Sequence, residues 1–143
     1  MPSANYQRLR RTIKVYKNTQ KKGKDSVSES VLRTKSKEFA KNTIFLTRKM
    51  NERKVEQTLI NQLLRSGTSI GANIHEGRYA QGTKDLISKF EIALKECYES
   101  EYWLEILCST NCITKKEYED FKNECVEICR MLVSSVKTLK AKL

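Results

Sequence analysis

The side chains that most often perform catalysis are scarce in this sequence. Its 143 residues include a single histidine, His75. The stretch that starts there begins like the zinc-binding helix motif H-E-x-x-H, but Tyr79 stands where the second histidine would be. A di-iron bundle would need a Glu-x-x-His pair on each of two helices. We therefore predict no catalytic residue, no metal site, no cofactor and no enzymatic activity. A Cys–His nucleophilic pair is the enzymatic alternative, although no sequence signature supports it.

The cysteines offer a second kind of chemistry. Four of the five form two pairs with three residues between the members: Cys108 with Cys112, and Cys125 with Cys129. Pairs that faced each other across a helical hairpin would suit two disulfides or a zinc site. However, Thr114 and Glu117 form a capping box that starts a helix before the midpoint between the pairs. Cys125 would then lie about 12 Å beyond the level of Cys108. We interpret the cysteines as small buried hydrophobic side chains, with a disulfide or zinc site as the alternative.

Positive charge is concentrated at the amino terminus. The net charge is +11 at pH 7, and residues 1–24 hold eight basic side chains and no acidic one. The eight are Arg8, Arg10, Arg11, Lys14, Lys17, Lys21, Lys22 and Lys24. Each phosphate that such a side chain neutralises releases counterions, so this run, with Tyr6 and Tyr16 interleaved, is typical of nucleic-acid binding. The alternatives are a solubilising tail, a mitochondrial transit peptide, a membrane-surface helix or a wrongly assigned start codon.

Four apolar stripes with helical spacing follow the basic run. They predict helices over residues 29–50, 55–79, 83–109 and 115–140. Phe45 is expected to widen the buried stripe of the first helix and Tyr98 that of the third, and Thr83 is expected to be the N-cap of the third. Short connections favour an all-α, up-down-up-down four-helix bundle over residues 29–143, preceded by a basic extension over residues 1–28.

The hydropathy pattern argues against a membrane protein. No apolar run approaches the roughly 20 residues that a membrane-spanning helix needs. The start of the chain lacks the apolar stretch of a secretory signal. We therefore expect a soluble, cytoplasmic protein without membrane contact.

The predicted second helix has an unusual middle. Gly67 and Gly71 lie one turn apart, and because each glycine costs a helix about 1 kcal/mol, they indicate that a neighbouring backbone comes close. A row of polar residues lies beside them on one face of the helix: Arg65, Ser69, Asn73 and Glu76. It forms either exposed surface pairs of little energetic value or a network between helices or subunits. We assign eight residues to this structural or interface motif: Arg65, Gly67, Ser69, Gly71, Asn73, Glu76, Glu99 and Trp103.

Two segments resemble a known family. They are QLLRSGTSIGANIHEG at residues 62–77 and KDLISKFEIALKECYESEYWLEIL at residues 84–107. Both are similar to the bacterial proteins encoded within intervening sequences of 23S ribosomal RNA genes. The resemblance extends over about residues 33–140, so the basic run falls outside it. His75 stands where relatives commonly carry a small or aliphatic residue, and no function is assigned to it.

The resemblance implies a four-helix bundle that assembles as a ring-shaped homopentamer, in a family without established enzymatic activity. A related branch, the accessory variability determinants of diversity-generating retroelements, implies a basic pentamer that binds nucleic acid and a reverse transcriptase. We therefore expect a non-enzymatic, oligomeric protein that binds nucleic acid, RNA above all. The alternative is a protein–protein adaptor, such as an accessory subunit of a retroelement reverse transcriptase.

Overall fold

The computed structural model describes residues 27–143, which form four helices. These are α1 (Val27–Glu52), α2 (Gln57–Gly77), α3 (Thr83–Ser109) and α4 (Lys115–Lys140). The described part of the chain contains no strand, and the predicted all-α bundle is confirmed. Helix ends lie within two residues of the predicted ones. The eight basic residues assigned to nucleic-acid binding lie outside the described residues.

The helices pack in the order of the sequence. α2 packs most extensively against its two neighbours, α1 and α3, and α4 packs on α3. α4 closes the bundle against α1 through the smallest of the four helix contacts. This arrangement is the up-down-up-down topology that short connections favour. None of the four helices combines the length and the apolar character needed to cross a membrane.

The core consists of two hydrophobic clusters, one toward each end of the bundle. The cluster near the start of α1 and the α2–α3 turn includes Phe39, Ile70, Phe90 and Leu132. The other cluster contains Leu46, Met50, Ile60, Leu63, Leu104, Leu107 and Ile113. Small buried residues lie between them, and Ser100 Oγ donates to Ser66 Oγ at 3.0 Å there. This buried hydroxyl pair ties α2 to α3.

Gly67 and Gly71 of α2 allow α1 to approach closely. A Cβ atom at Gly67 would lie 2.8 Å from Cγ2 of Thr43, and one at Gly71 would lie 3.2 Å from the carbonyl oxygen of Ser36. Such distances are shorter than ordinary van der Waals contact. The close neighbour that the glycine spacing predicts is therefore α1, which meets Gly71 with its backbone and Gly67 with the side chain of Thr43.

The helix starts show one correct and one wrong prediction. The capping box at the start of α4 is confirmed, since Thr114 Oγ1 accepts from Glu117 N and Glu117 Oε1 accepts from Thr114 N. The prediction that Thr83 caps α3 is wrong. The N-cap is Gly82, and Thr83 is already helical. The carboxylate of Asp85 accepts instead from Gln81 N at 3.0 Å, which satisfies a backbone donor just before the helix.

Candidate functional site

Polar side chains join α2 to α3 along their outer seam. Arg65 reaches across it, with Nη1 3.3 Å from Glu96 Oε2 and Nη2 donating to Glu99. The indole Nε1 of Trp103 donates to the same Glu99 carboxylate at 3.2 Å. The Arg65 guanidinium holds the pKa of Glu99 below its ordinary value, and Glu99 in turn raises the pKa of Arg65. The chemistry of this seam is charge pairing that fixes how α2 and α3 align.

The other motif residues have separate roles. Glu76 pairs with Lys89 of α3 at 2.8 Å, close to the α2–α3 turn. The Ser69 hydroxyl and the Asn73 amide each donate to the carbonyl oxygen four residues earlier in α2, at 2.6 and 2.8 Å. The two glycines face α1 instead. The structure therefore brings Arg65, Glu99 and Trp103 together and places the other five residues elsewhere on α2.

The histidine and the cysteines are placed apart from each other. His75 is exposed and contacts Tyr79 edge to face, with ring centroids 5.6 Å apart. Cys125 is buried and donates to the carbonyl oxygen of Cys97 at 3.3 Å. A hydrogen bond with Cys125 and burial raise the pKa of Cys97, which disfavours the nucleophilic thiolate. The buried environment predicted for the cysteines holds for Cys97, Cys125 and Cys129, whereas Cys108 and Cys112 are half-buried.

The two cysteine pairs also belong to different parts of the core. Cys125 and Cys129 lie in the cluster near the start of α1. Cys108 and Cys112 pack against the opposite cluster. All five thiols are free, and within residues 27–143 no group of three or more His, Cys, Asp or Glu side chains is placed to hold a metal ion.

An open groove of about 470 Å³ lies between the start of α1 and the second half of α4. Its lining combines Glu29, Arg130 and Lys142 with apolar and hydroxyl side chains. It contains neither histidine nor cysteine. The groove thus offers charged groups and hydroxyls for hydrogen bonding, without a nucleophile beside a histidine base.

Several apolar side chains of α3 are exposed on its outward face. Tyr102 is 54% exposed, with half-buried Trp103 and Ile106 beside it, and Ile92, 38% exposed, lies ten residues earlier with Lys95 and Glu99 between them. The Tyr102 and Trp103 rings meet edge to face, with centroids 5.0 Å apart. The expectation that Tyr98 widens the core is wrong, because that side chain is 52% exposed. Sequence analysis did not single out this face, although apolar residues on every side of a helix are the signal of a second contact surface.

The fold and these surfaces define a four-helix-bundle protein of the up-down-up-down class, with a charged seam between α2 and α3 and an apolar face on α3. The chain belongs to the 23S rRNA-intervening sequence protein family, whose sequence profile matches residues 28–134. The resemblance of residues 62–77 and 84–107 is thereby confirmed.

A solved structure supports the same assignment. It is a protein of unknown function from the S23 ribosomal protein family of Bacteroides thetaiotaomicron VPI-5482. The two chains are 46% identical with a TM-score of 0.75, and the match covers 78% of this chain and 99% of the other. Among curated proteins, no sequence matches this chain significantly.

Proposed function

We propose that this protein is a non-enzymatic, cytoplasmic, self-associating nucleic-acid-binding protein whose ligand is RNA. The observation that carries the proposal is the run of eight basic side chains without an acidic one in residues 1–24. That run precedes a domain that belongs to the 23S rRNA-intervening sequence protein family. A basic run of this kind contacts phosphates in any sequence, so the protein is expected to discriminate weakly among RNA sequences.

Self-association, with a homopentamer as the expected form, strengthens such binding. The apolar side chains exposed on α3, Tyr102 and Ile92, support it, because contact with a second copy would remove them from water. Several copies bring several basic runs to one RNA molecule, and each additional contact then forms at high effective concentration. A weak single contact thereby gives strong overall binding.

The test compares the full-length protein with a chain shortened to start at Ser28. Both are titrated against a fluorescent RNA at low and at moderate salt, and light scattering gives the mass of each species. We expect salt-sensitive binding by the full-length protein and much weaker binding by the shortened chain, at equal oligomer mass. An affinity that does not fall with salt would contradict the proposal, since phosphate contacts depend on counterion release.

A protein–protein adaptor is the second candidate, for example an accessory subunit of a retroelement reverse transcriptase. The apolar face of α3 favours it, because a partner protein would cover that face as well as a second copy would. Failure of both chains to bind RNA or DNA, together with a stable complex with a reverse transcriptase encoded beside the gene, would favour this function over RNA binding.

A further inference from the structure

The positive charge of the described bundle lies on α1 and the turn that follows it. Residues 27–54 contain eight basic and three acidic side chains. Residues 55–143 contain twelve basic and thirteen acidic side chains, which nearly cancel. In the sequence, α1 also follows directly on the basic run of residues 1–24. Because Lys35, Lys49 and Arg53 pair with carboxylates of α4, the positive charge that suits a polyanion lies on the side of α1 turned away from α4.

A row of basic side chains lies on the outward face of α1. Lys37, Lys41, Phe45 and Arg48 are spaced four, four and three residues apart, which places them on one face of the helix. All four are exposed. The row is about 16 Å long at 1.5 Å per residue. Since α2 and α4 cover the other sides of α1, this face is open along its length.

An exposed aromatic ring lies within this basic row. Phe45 is 56% exposed, so the expectation that it widens the core is wrong. The guanidinium carbon of Arg48 lies 5.6 Å from the centre of its ring. By contrast, Phe39 of the same helix is 1% exposed and packs edge to face on Phe121 in the core. A lone exposed apolar residue is ordinary, but a ring flanked by cations is the composition of surfaces that bind single-stranded nucleic acid.

Two exposed acidic residues of α1 lie beside the row, Glu38 and Glu52, and Glu52 follows Arg48 by four residues. Glu38 pairs with Lys41 at 3.1 Å, and both side chains are more than half exposed. Exposed ion pairs of this kind contribute little to stability, so a phosphate can replace the Glu38 carboxylate beside Lys41. Arg48 and Lys37 lie on the side of the row away from Glu38, one turn and two turns from the ring of Phe45.

We infer that the outward face of α1 binds single-stranded RNA, with an unpaired base stacked on Phe45 and phosphates held by Lys37, Lys41 and Arg48. The inference rests on the proposed RNA-binding function and adds a site and a ligand class to it. Bases of a duplex are stacked on each other, so a duplex can contact the three cations but cannot stack a base on Phe45. A preference for single strands over duplexes would therefore show that a base stacks on the ring of Phe45.

The test uses the full-length protein with fluorescent oligoadenylate as the single strand and an RNA duplex of equal length. F45A is expected to weaken binding of the single strand about tenfold and to leave duplex binding unchanged. Val133→Ala, which shortens an exposed apolar side chain of α4, is the matched control and should change neither affinity. F45W should keep single-strand affinity, and its indole fluorescence should be quenched when oligoadenylate binds.

The cations are tested separately. The variant K37Q/K41Q/R48Q should weaken both RNAs and reduce the salt slope for the single strand by about 2, since each phosphate contact contributes about 0.7. K115Q/K116Q/K122Q removes three exposed cations from α4 and should leave the slope almost unchanged.

Three results would overturn the inference. F45A could bind oligoadenylate as tightly as the parent protein, or it could lose duplex and single-strand affinity equally. It could also change the oligomer mass, which would place Phe45 between copies of the chain. Absence of RNA binding by the unsubstituted protein at low salt would instead overturn the proposed function itself.

Discussion

At the scale of single residues, the contact between Arg53 and Glu117 joins the α1–α2 turn to the start of α4. The guanidinium donates to both carboxylate oxygens, at 2.8 and 3.0 Å, and Thr114 N donates to one of them at 2.9 Å. These donors, Arg53 above all, lower the pKa of Glu117 to about 2. Because Arg53 and the backbone N–H of Thr114 both bind the charged form, this carboxylate contributes to stability only while it is ionised.

The pH dependence of stability follows from the direction of that shift. The pKa is lower in the folded chain than the roughly 4.3 of an unfolded one, so the contribution is fully present above about pH 4.3 and is lost as the pH falls toward 2. Glu117→Gln keeps an acceptor for the capping box but removes the charge. It should lower the free energy of unfolding at neutral pH by about 2 kcal/mol, with screening of the partly exposed Arg53 included.

Urea unfolding at several pH values measures this effect. The stabilities of the parent protein and the Glu117→Gln variant should converge near pH 2. A difference that stays constant from pH 7 to pH 2 would show that the charge is not its cause. Asp120→Gln, which removes an exposed partner of Lys116, is the control and should change stability by less than about 0.5 kcal/mol.

Single residues also show where sequence reasoning succeeds. The capping box of Thr114 and Glu117 is local, so four residues of sequence are enough to predict it. The pairing of Arg53 with Glu117 is not local, because it depends on how distant helices align. Phe45 and Tyr98 were placed in the core because they flank apolar stripes, and helical spacing alone does not tell a buried flank from an exposed one.

At the scale of elements, the contact between α1 and α2 depends on the missing side chain at Gly67. Alanine there would gain about 1 kcal/mol of helix propensity. Its Cβ would also lie 2.8 Å from two side-chain atoms of Thr43, which is buried and bonds its own helix at Phe39 O. We expect overpacking to dominate, so Gly67→Ala should lower the free energy of unfolding by about 1–2 kcal/mol.

A double-mutant cycle with Thr43→Ala isolates the contact. The double variant has room for the new methyl group, so its loss of stability should be smaller than the sum of the two single losses. Thermal unfolding of the parent protein, the two single variants and the double variant measures these losses of stability. Additive losses, or a Gly67→Ala variant more stable than the parent, would show that α1 adjusts without strain.

The glycine spacing of α2 predicted a close neighbour but not which helix it is. Likewise, the row from Arg65 predicted a polar face, while its pairing with Glu96 and Glu99 depends on the packing of α2 against α3. Helix positions follow from apolar spacing within each segment. The partners across a seam follow from the alignment of two segments, which a single sequence does not contain.

At the scale of the whole molecule, the proposed self-association is expected to use the outward face of α3. Ile92→Lys combined with Tyr102→Lys would place two charges on that face, and burying them between copies would be costly. The doubly substituted chain should have a lower mass by light scattering and an unchanged helical circular dichroism spectrum. Val133→Lys adds a charge to an exposed position of α4 and serves as the control. An unchanged mass for the double variant would exclude the α3 face as the contact between copies.

An even number of antiparallel helices places the start of α1 at the same end of the bundle as the end of α4 and the α2–α3 turn. In a closed ring whose helices run along the ring axis, rotation does not invert a subunit, so every copy would direct that end to the same rim. Such a ring has two unlike faces, because every α1 begins at the same one. The assembly would then be directional, with two rims that offer different surfaces to any ligand.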